Sequence, residues 1–89
     1  HLKYLDSWAA PKQVRAPLAL FPASAEILRE PLGVALILSP WNYPFQLALN
    51  PLIGAISAGC CAILKPSPET PSVWRVIQKL IQQTYPQEY

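Results

Sequence analysis

The sequence predicts an α/β fold, because two short apolar runs of strand length alternate with two segments of helix length. Gly33-Val34-Ala35-Leu36-Ile37-Leu38-Ser39 and Cys60-Cys61-Ala62-Ile63-Leu64 lack the polar alternation of a sheet with one wet face. Buried parallel strands read this way. A strand, helix, strand, helix order implies parallel pairing through right-handed crossovers, the unit from which nucleotide-binding α/β proteins are built.

Each element has its own local signature. His1 to Ala10 reads as the end of an amphipathic helix, with Leu2, Leu5 and Trp8 or Ala9 at helical spacing before Pro11 stops it. Val14 to Phe21 and Ala23 to Glu30 are extended runs flanking Phe21-Pro22-Ala23-Ser24, so a β-hairpin is predicted, with Pro17 confining the first run to an edge or a bulge. After the first buried strand, Pro40-Trp41-Asn42-Tyr43-Pro44 breaks the chain. Phe45 to Ala58 follows as a helix ending at Gly59, a suitable C′ residue, and Pro51 is expected to kink or split it. Lys65-Pro66-Ser67-Pro68 closes the second strand. In the last segment Val73, Val76, Ile77, Leu80, Ile81 and Thr84 form one helical stripe opposite Arg75, Gln78, Lys79 and Gln82. Thr70 and Pro71 supply an N-cap and a first-turn proline.

Composition bounds the function classes. The 89 residues are 52% hydrophobic and 13% charged, against about 25% charged in an ordinary soluble protein. Disorder is thereby excluded. At this mass a compact chain would keep about 5,200 Å² exposed out of roughly 14,400 Å² when unfolded, too little interior for so much apolar surface. With no Met, His1 first and a polar stop at Tyr85-Pro86-Gln87-Glu88-Tyr89, the chain is expected to be an internal piece of a larger protein. Seven basic and five acidic residues are scattered singly, so no basic stripe offers itself to nucleic acid. No charge occurs from Pro31 through Leu64, yet Pro40, Pro44 and Pro51 would leave backbone groups unpaired in lipid, which argues against a membrane span. Adjacent Cys60 and Cys61 are poor disulfide partners and read as small buried hydrophobes in a reducing, cytoplasmic setting.

In open parallel sheets ligands bind beyond the carboxyl ends of the strands. Two loops fall there, one offering Trp41 and Asn42 after Ser39, the other Lys65, Ser67 and Glu69 after Leu64. The phosphate fingerprint G-x-G-x-x-G is missing, since the glycines are Gly33, Gly54 and Gly59. An amide such as Asn42 can donate to a developing oxyanion, and it can equally cap the helix that begins near Phe45. Lys65, alone in a long uncharged stretch, either meets a phosphate or ribose or marks where the chain regains water.

Read together, Glu30-Pro31-Leu32-Gly33-Val34, Pro40-Trp41-Asn42-Tyr43-Pro44, Gly54-Ala55-Ile56-Ser57-Ala58-Gly59 and Leu64-Lys65-Pro66-Ser67 resemble the aldehyde dehydrogenase superfamily in order and spacing, most of all its class 3 branch. The resemblance covers Glu30 to Pro71, more weakly the flanks. It implies that residues 1–12 end an N-terminal helix, 13–31 form a β-hairpin oligomerisation arm, and 32–89 begin a Rossmann-like parallel-sheet domain for NAD or NADP. It implies that Asn42 stabilises the oxyanion formed when a cysteine thiolate attacks an aldehyde. The backbone at Ser39, Pro40 and Trp41 would then lie along the nicotinamide, with Lys65 reaching the adenosine ribose and Ser67 in the same loop.

Two departures accompany the resemblance. The family commonly has a glutamate three residues after that lysine, where this chain has Pro68 followed by Glu69, so the choice between NAD and NADP stays open. The family's nucleophilic cysteine and general-base glutamate lie downstream of this chain, and Cys60 and Cys61 match a strand position instead. The expectation is therefore a piece of an NAD(P)-dependent aldehyde dehydrogenase, inactive by itself and homo-oligomeric. The rival reading is a truncated, non-catalytic interaction module that folds against a partner.

Overall fold

The computed structural model describes residues 2–85; His1 of the predicted helical segment and 86–89 of the predicted polar stop lie outside them. A 3₁₀ turn at Leu2–Tyr4 leads into α1 (Leu5–Ala9), which ends before Pro11 as predicted. Tyr4 and Trp8 stack one helical turn apart, their ring centroids separated by 6.1 Å.

β1 (Lys12–Val14) pairs antiparallel with β2 (Ala25–Ile27), and Gln13 Nε2 donates to Glu26 Oε2 across the ladder at 3.0 Å. The ribbon is much shorter than the sequence predicts. Pro17 has no N–H to offer a ladder, and the chain instead turns on itself at Leu18–Leu20, where Leu20 N donates to Pro17 O and Phe21 N to Leu18 O. Local bonds thus replace cross-strand ones, and Leu18 and Phe21 stand 92% and 84% exposed.

The remaining chain forms the expected parallel unit. β3 (Val34–Leu38) and β4 (Cys61–Lys65) pair in parallel, with Val34 opposite Cys61 and Leu38 opposite Lys65. Between them runs α2 (Pro44–Ser57), and after β4 comes α3 (Pro71–Thr84). Pro51 does not split α2. Only the Leu47 carbonyl loses its N–H partner there, and both residues are exposed, so water can take the bond.

α2 closes with both bonds of a Schellman turn, Gly59 N to Ile56 O and Cys60 N to Ala55 O, each 2.9 Å. Gly59 sits at φ +75°, and a Cβ built on it would stand 2.9 Å from Pro31 Cγ. Gly59→Ala is accordingly expected to destabilise the fold by about 1–2 kcal/mol or more, read as a lowered melting temperature.

α2 packs on one face of the strand pair, where Ala35 meets Ala62 and Ile37 meets Leu64. Among the described residues, Ile37, Ala48 and Ile77 form the buried apolar core. The opposite face is bare, since Val34, Leu36, Leu38 and Ile63 remain 59–65% exposed. The sequence predicts strands buried on both faces, and within the described residues only one face is covered. α3 likewise turns Trp74, Ile77 and Ile81 inward while Val76 and Leu80, part of the predicted stripe, stay exposed. An open apolar groove of about 720 Å³ remains between α2, β4 and α3, lined by Leu52, Ile56, Ala62, Leu64, Trp74 and Ile81. Total exposure is 7651 Å², well above the compact expectation of about 5,200 Å². The radius of gyration of 18.5 Å likewise exceeds the about 12 Å of a compact chain of this length, because the ribbon does not pack closely on the α/β unit.

Candidate functional site

Parallel pairing brings the carboxyl ends of β3 and β4 to one edge. Their register carries past Leu38 and Lys65, where Ser39 N donates to Lys65 O at 3.0 Å. The loop at 40–43 and the loop at 66–70 therefore leave the sheet side by side, and each runs directly into a helix N-terminus.

In the first loop Trp41 and Asn42 are exposed, and no side chain caps α2. The position before the helix belongs to Tyr43, so Asn42 is not the cap that helix statistics allow. Its carboxamide is left for other partners. Tyr43 itself is left-handed, at φ 50° and ψ 48°, immediately before Pro44. A bulky residue there is strained, and the following proline disfavours helical backbone further, so the conformation costs about 1–3 kcal/mol. Tyr43 O nonetheless accepts from Leu47 N at 3.0 Å and closes the first turn. With no side-chain cap and none on a proline, the N–H groups of Phe45 and Gln46 keep their positive partial charge beside the loop.

Ser39 is 7% exposed and is the buried polar residue among those described. Its hydroxyl donates to Pro44 O at 3.0 Å, across the loop. A contact of Ser39 with a cofactor would thus be made by its backbone, as the resemblance implies. Pro40 is exposed at the head of the same loop.

In the second loop Lys65 is exposed at the end of β4, on the bare face of the sheet. Ser67 shapes the turn that follows, its hydroxyl accepting from Glu69 N at 3.3 Å and its carbonyl from Thr70 N at 3.4 Å. Thr70 stands at the N-cap position of α3 with Pro71 in the first turn, as predicted, but its Oγ1 donates to Ser67 O and makes no capping bond. Pro68 and Glu69 are exposed at the tip. Cys60 and Cys61 are both free; Cys60 is half-buried and Cys61 exposed, against the expectation that both are buried. Strand alternation turns Cys61 to the uncovered face. Among the described residues no group of three His, Cys, Asp or Glu is placed to hold a metal, and no helix is long and apolar enough to cross a membrane.

A family model described as the aldehyde dehydrogenase family matches residues 7–88. The chain belongs to the aldehyde dehydrogenase family. An aldehyde dehydrogenase of Craterostigma plantagineum is 52% identical over 82 residues, 92% of this chain and 17% of its own length. The 4,4'-diaponeurosporen-aldehyde dehydrogenase of Staphylococcus aureus is 53% identical over 98% of this chain and 19% of its own length, and the Arabidopsis thaliana family 3 member H1 is 52% identical over 92% and 17%. The solved substrate-bound state of Staphylococcus aureus AldH superposes with a TM-score of 0.90 at 54% identity, over 94% of this chain and 18% of that one. The class 3 resemblance is thereby shown. The chain spans less than a fifth of the length of these aldehyde dehydrogenases.

Sequence reasoning missed two features of this aldehyde dehydrogenase segment, the left-handed Tyr43 and the inward Ser39 hydroxyl. Prolines at 40 and 44 signalled a break after the strand but not the hand of its backbone. A serine closing an otherwise apolar strand was the available hint that a buried hydroxyl must find an acceptor.

Proposed function

We propose that this chain is the part of an NAD(P)-dependent aldehyde dehydrogenase that begins its Rossmann-like cofactor domain, preceded by a β-hairpin arm at 13–31, in a cytoplasmic homo-oligomer. The observation that supports it best is the juxtaposition of the two loops at one sheet edge, with Asn42 released from capping in one and Lys65 exposed at the start of the other. The residues present fit a dinucleotide held without a glycine fingerprint. They offer a cation at Lys65, a carboxylate at Glu69 for ribose hydroxyls, and the uncapped start of α3 as a favourable neighbour for phosphate. When bound, the dinucleotide supplies the hydride acceptor.

Lys65 would hold the ribose while the backbone at Ser39, Pro40 and Trp41 lines the nicotinamide. Asn42 would donate its amide N–H to the oxygen that gains charge as a cysteine thiolate from the complete protein adds to the aldehyde carbon, giving a thiohemiacetal. The first-turn N–H groups of α2 add to the same positive potential. Neither Cys60 nor Cys61 is assigned that attack, since both belong to the β4 region rather than to the loop carrying Asn42. No observation favours the non-catalytic interaction module. The exposed apolar tip of the ribbon at Leu18 and Phe21 supports an oligomerisation role for the arm.

The test is an assay of the complete polypeptide that carries this segment, with NAD and with NADP. Dinucleotide reduction dependent on aldehyde, with carboxylate as product, is expected. Absence of turnover with either dinucleotide across aliphatic and aromatic aldehydes would remove the reading.

A further inference from the structure

We propose that Ser39 is a positioning residue whose buried hydroxyl clamps the 40–43 loop so that Asn42 stands clear of the α2 terminus as a free donor, an inference that rests on the reading of Asn42 as the oxyanion donor. The loop has little else to hold it. Among the described residues, Ser39 Oγ to Pro44 O is the one hydrogen bond that spans it from strand end to helix start. Pro40 and Pro44 contribute no N–H, and Trp41, Asn42 and Tyr43 are all exposed, so packing does little to restrain them.

The conformation to be held is also unfavourable by itself. Tyr43 is left-handed before a proline, and such residues persist only where the surroundings over-determine them. If Tyr43 relaxed to the extended region preferred before proline, the peptide joining it to Asn42 would turn and carry the carboxamide with it. The Ser39 hydroxyl opposes this by tying Pro44, the residue just past the strained one, back to the end of β3. Ser39 N is fixed in turn by Lys65 O, so the clamp is anchored in the sheet. Its burial at 7% exposure keeps water from competing for the acceptor.

A rate consequence follows from geometry, because misplacing a reacting or stabilising group by about 1 Å can cost up to about 10² in rate. The experiment is a double-mutant cycle in the complete enzyme with Ser39→Ala, Asn42→Ala and the pair. Ser39→Ala is expected to lower kcat about 10-fold while leaving the KM for dinucleotide unchanged, and to have no further effect once Asn42 is alanine. Amide exchange at Leu47, whose N–H bonds Tyr43 O, should quicken in Ser39→Ala with the melting temperature nearly unchanged. A kcat within twofold of the parent, unaltered exchange at Leu47, or a Ser39 loss that persists in the Asn42→Ala background would each overturn the clamp while leaving the oxyanion reading intact. An Asn42→Ala variant with unchanged kcat would defeat the oxyanion reading and the clamp with it. Should Ser39→Ala not fold, Ser39→Gly removes the same hydroxyl without added volume and carries the same cycle.

Discussion

Asn42→Ala in the complete enzyme is expected to lower kcat by about 10² or more, the usual loss when one preorganised oxyanion donor is removed. Cofactor affinity should hardly change, because the amide interacts with charge that develops only in the transition state. The competing use of asparagine as a helix cap predicts a different result, a stability loss of about 1 kcal/mol with near-normal kcat. Since Tyr43 and not Asn42 occupies the capping position of α2, the melting temperature should stay close to that of the parent. Steady-state kinetics and a thermal melt on the same preparation separate the two outcomes. Asn42→Asp is an informative companion, because it keeps the size but exchanges a donor for a carboxylate that repels the oxyanion.

The second large effect is expected at Lys65. Lys65→Ala should raise the Kd for the dinucleotide by about 10-fold to 100-fold, the range of a hydrogen bond from a charged donor, with a smaller change in the KM for aldehyde. Its position at the last residue of β4, level with Leu38, puts the ammonium at the sheet edge that Ser39 shares. Binding measured by titration in the absence of aldehyde isolates this effect. An unchanged Kd would mean that the lysine only returns the chain to water.

Much of the α/β unit was legible because apolar patterning and its punctuation agree. Two apolar runs, a helix with proline near its start and glycine after its end, and a stripe from Val73 behind a first-turn Pro71 yield the observed order with boundaries shifted by about one residue, as assignment conventions allow. Gly59 was legible for a specific reason, since a helix C′ position rewards the residue that tolerates positive φ. The hairpin was read too long because propensity sees extended residues but not the local 3₁₀ bonds that compete with a ladder around Pro17. Periodicity marked Val76 and Leu80 as inward, yet which side of α3 is covered depends on where α2 lies, and that is decided by tertiary packing. At the candidate site the identities of Asn42 and Lys65 were readable, whereas the left-handed Tyr43 and the turned-in Ser39 arise from how a strand end and a helix start are joined in space.

The bare face of the strand pair bears on how this region holds its shape. Val34, Leu36, Leu38 and Ile63 each keep 59–65% of their surface in water. Covering what remains of these four side chains would contribute about 4–7 kcal/mol, comparable with the about 5–15 kcal/mol that separates a small native domain from its unfolded chain. The strand pair's stability is therefore extrinsic to a large degree. Whichever surface settles on that face decides whether β3 and β4 stay paired, and with them whether the loops carrying Asn42 and Lys65 remain neighbours.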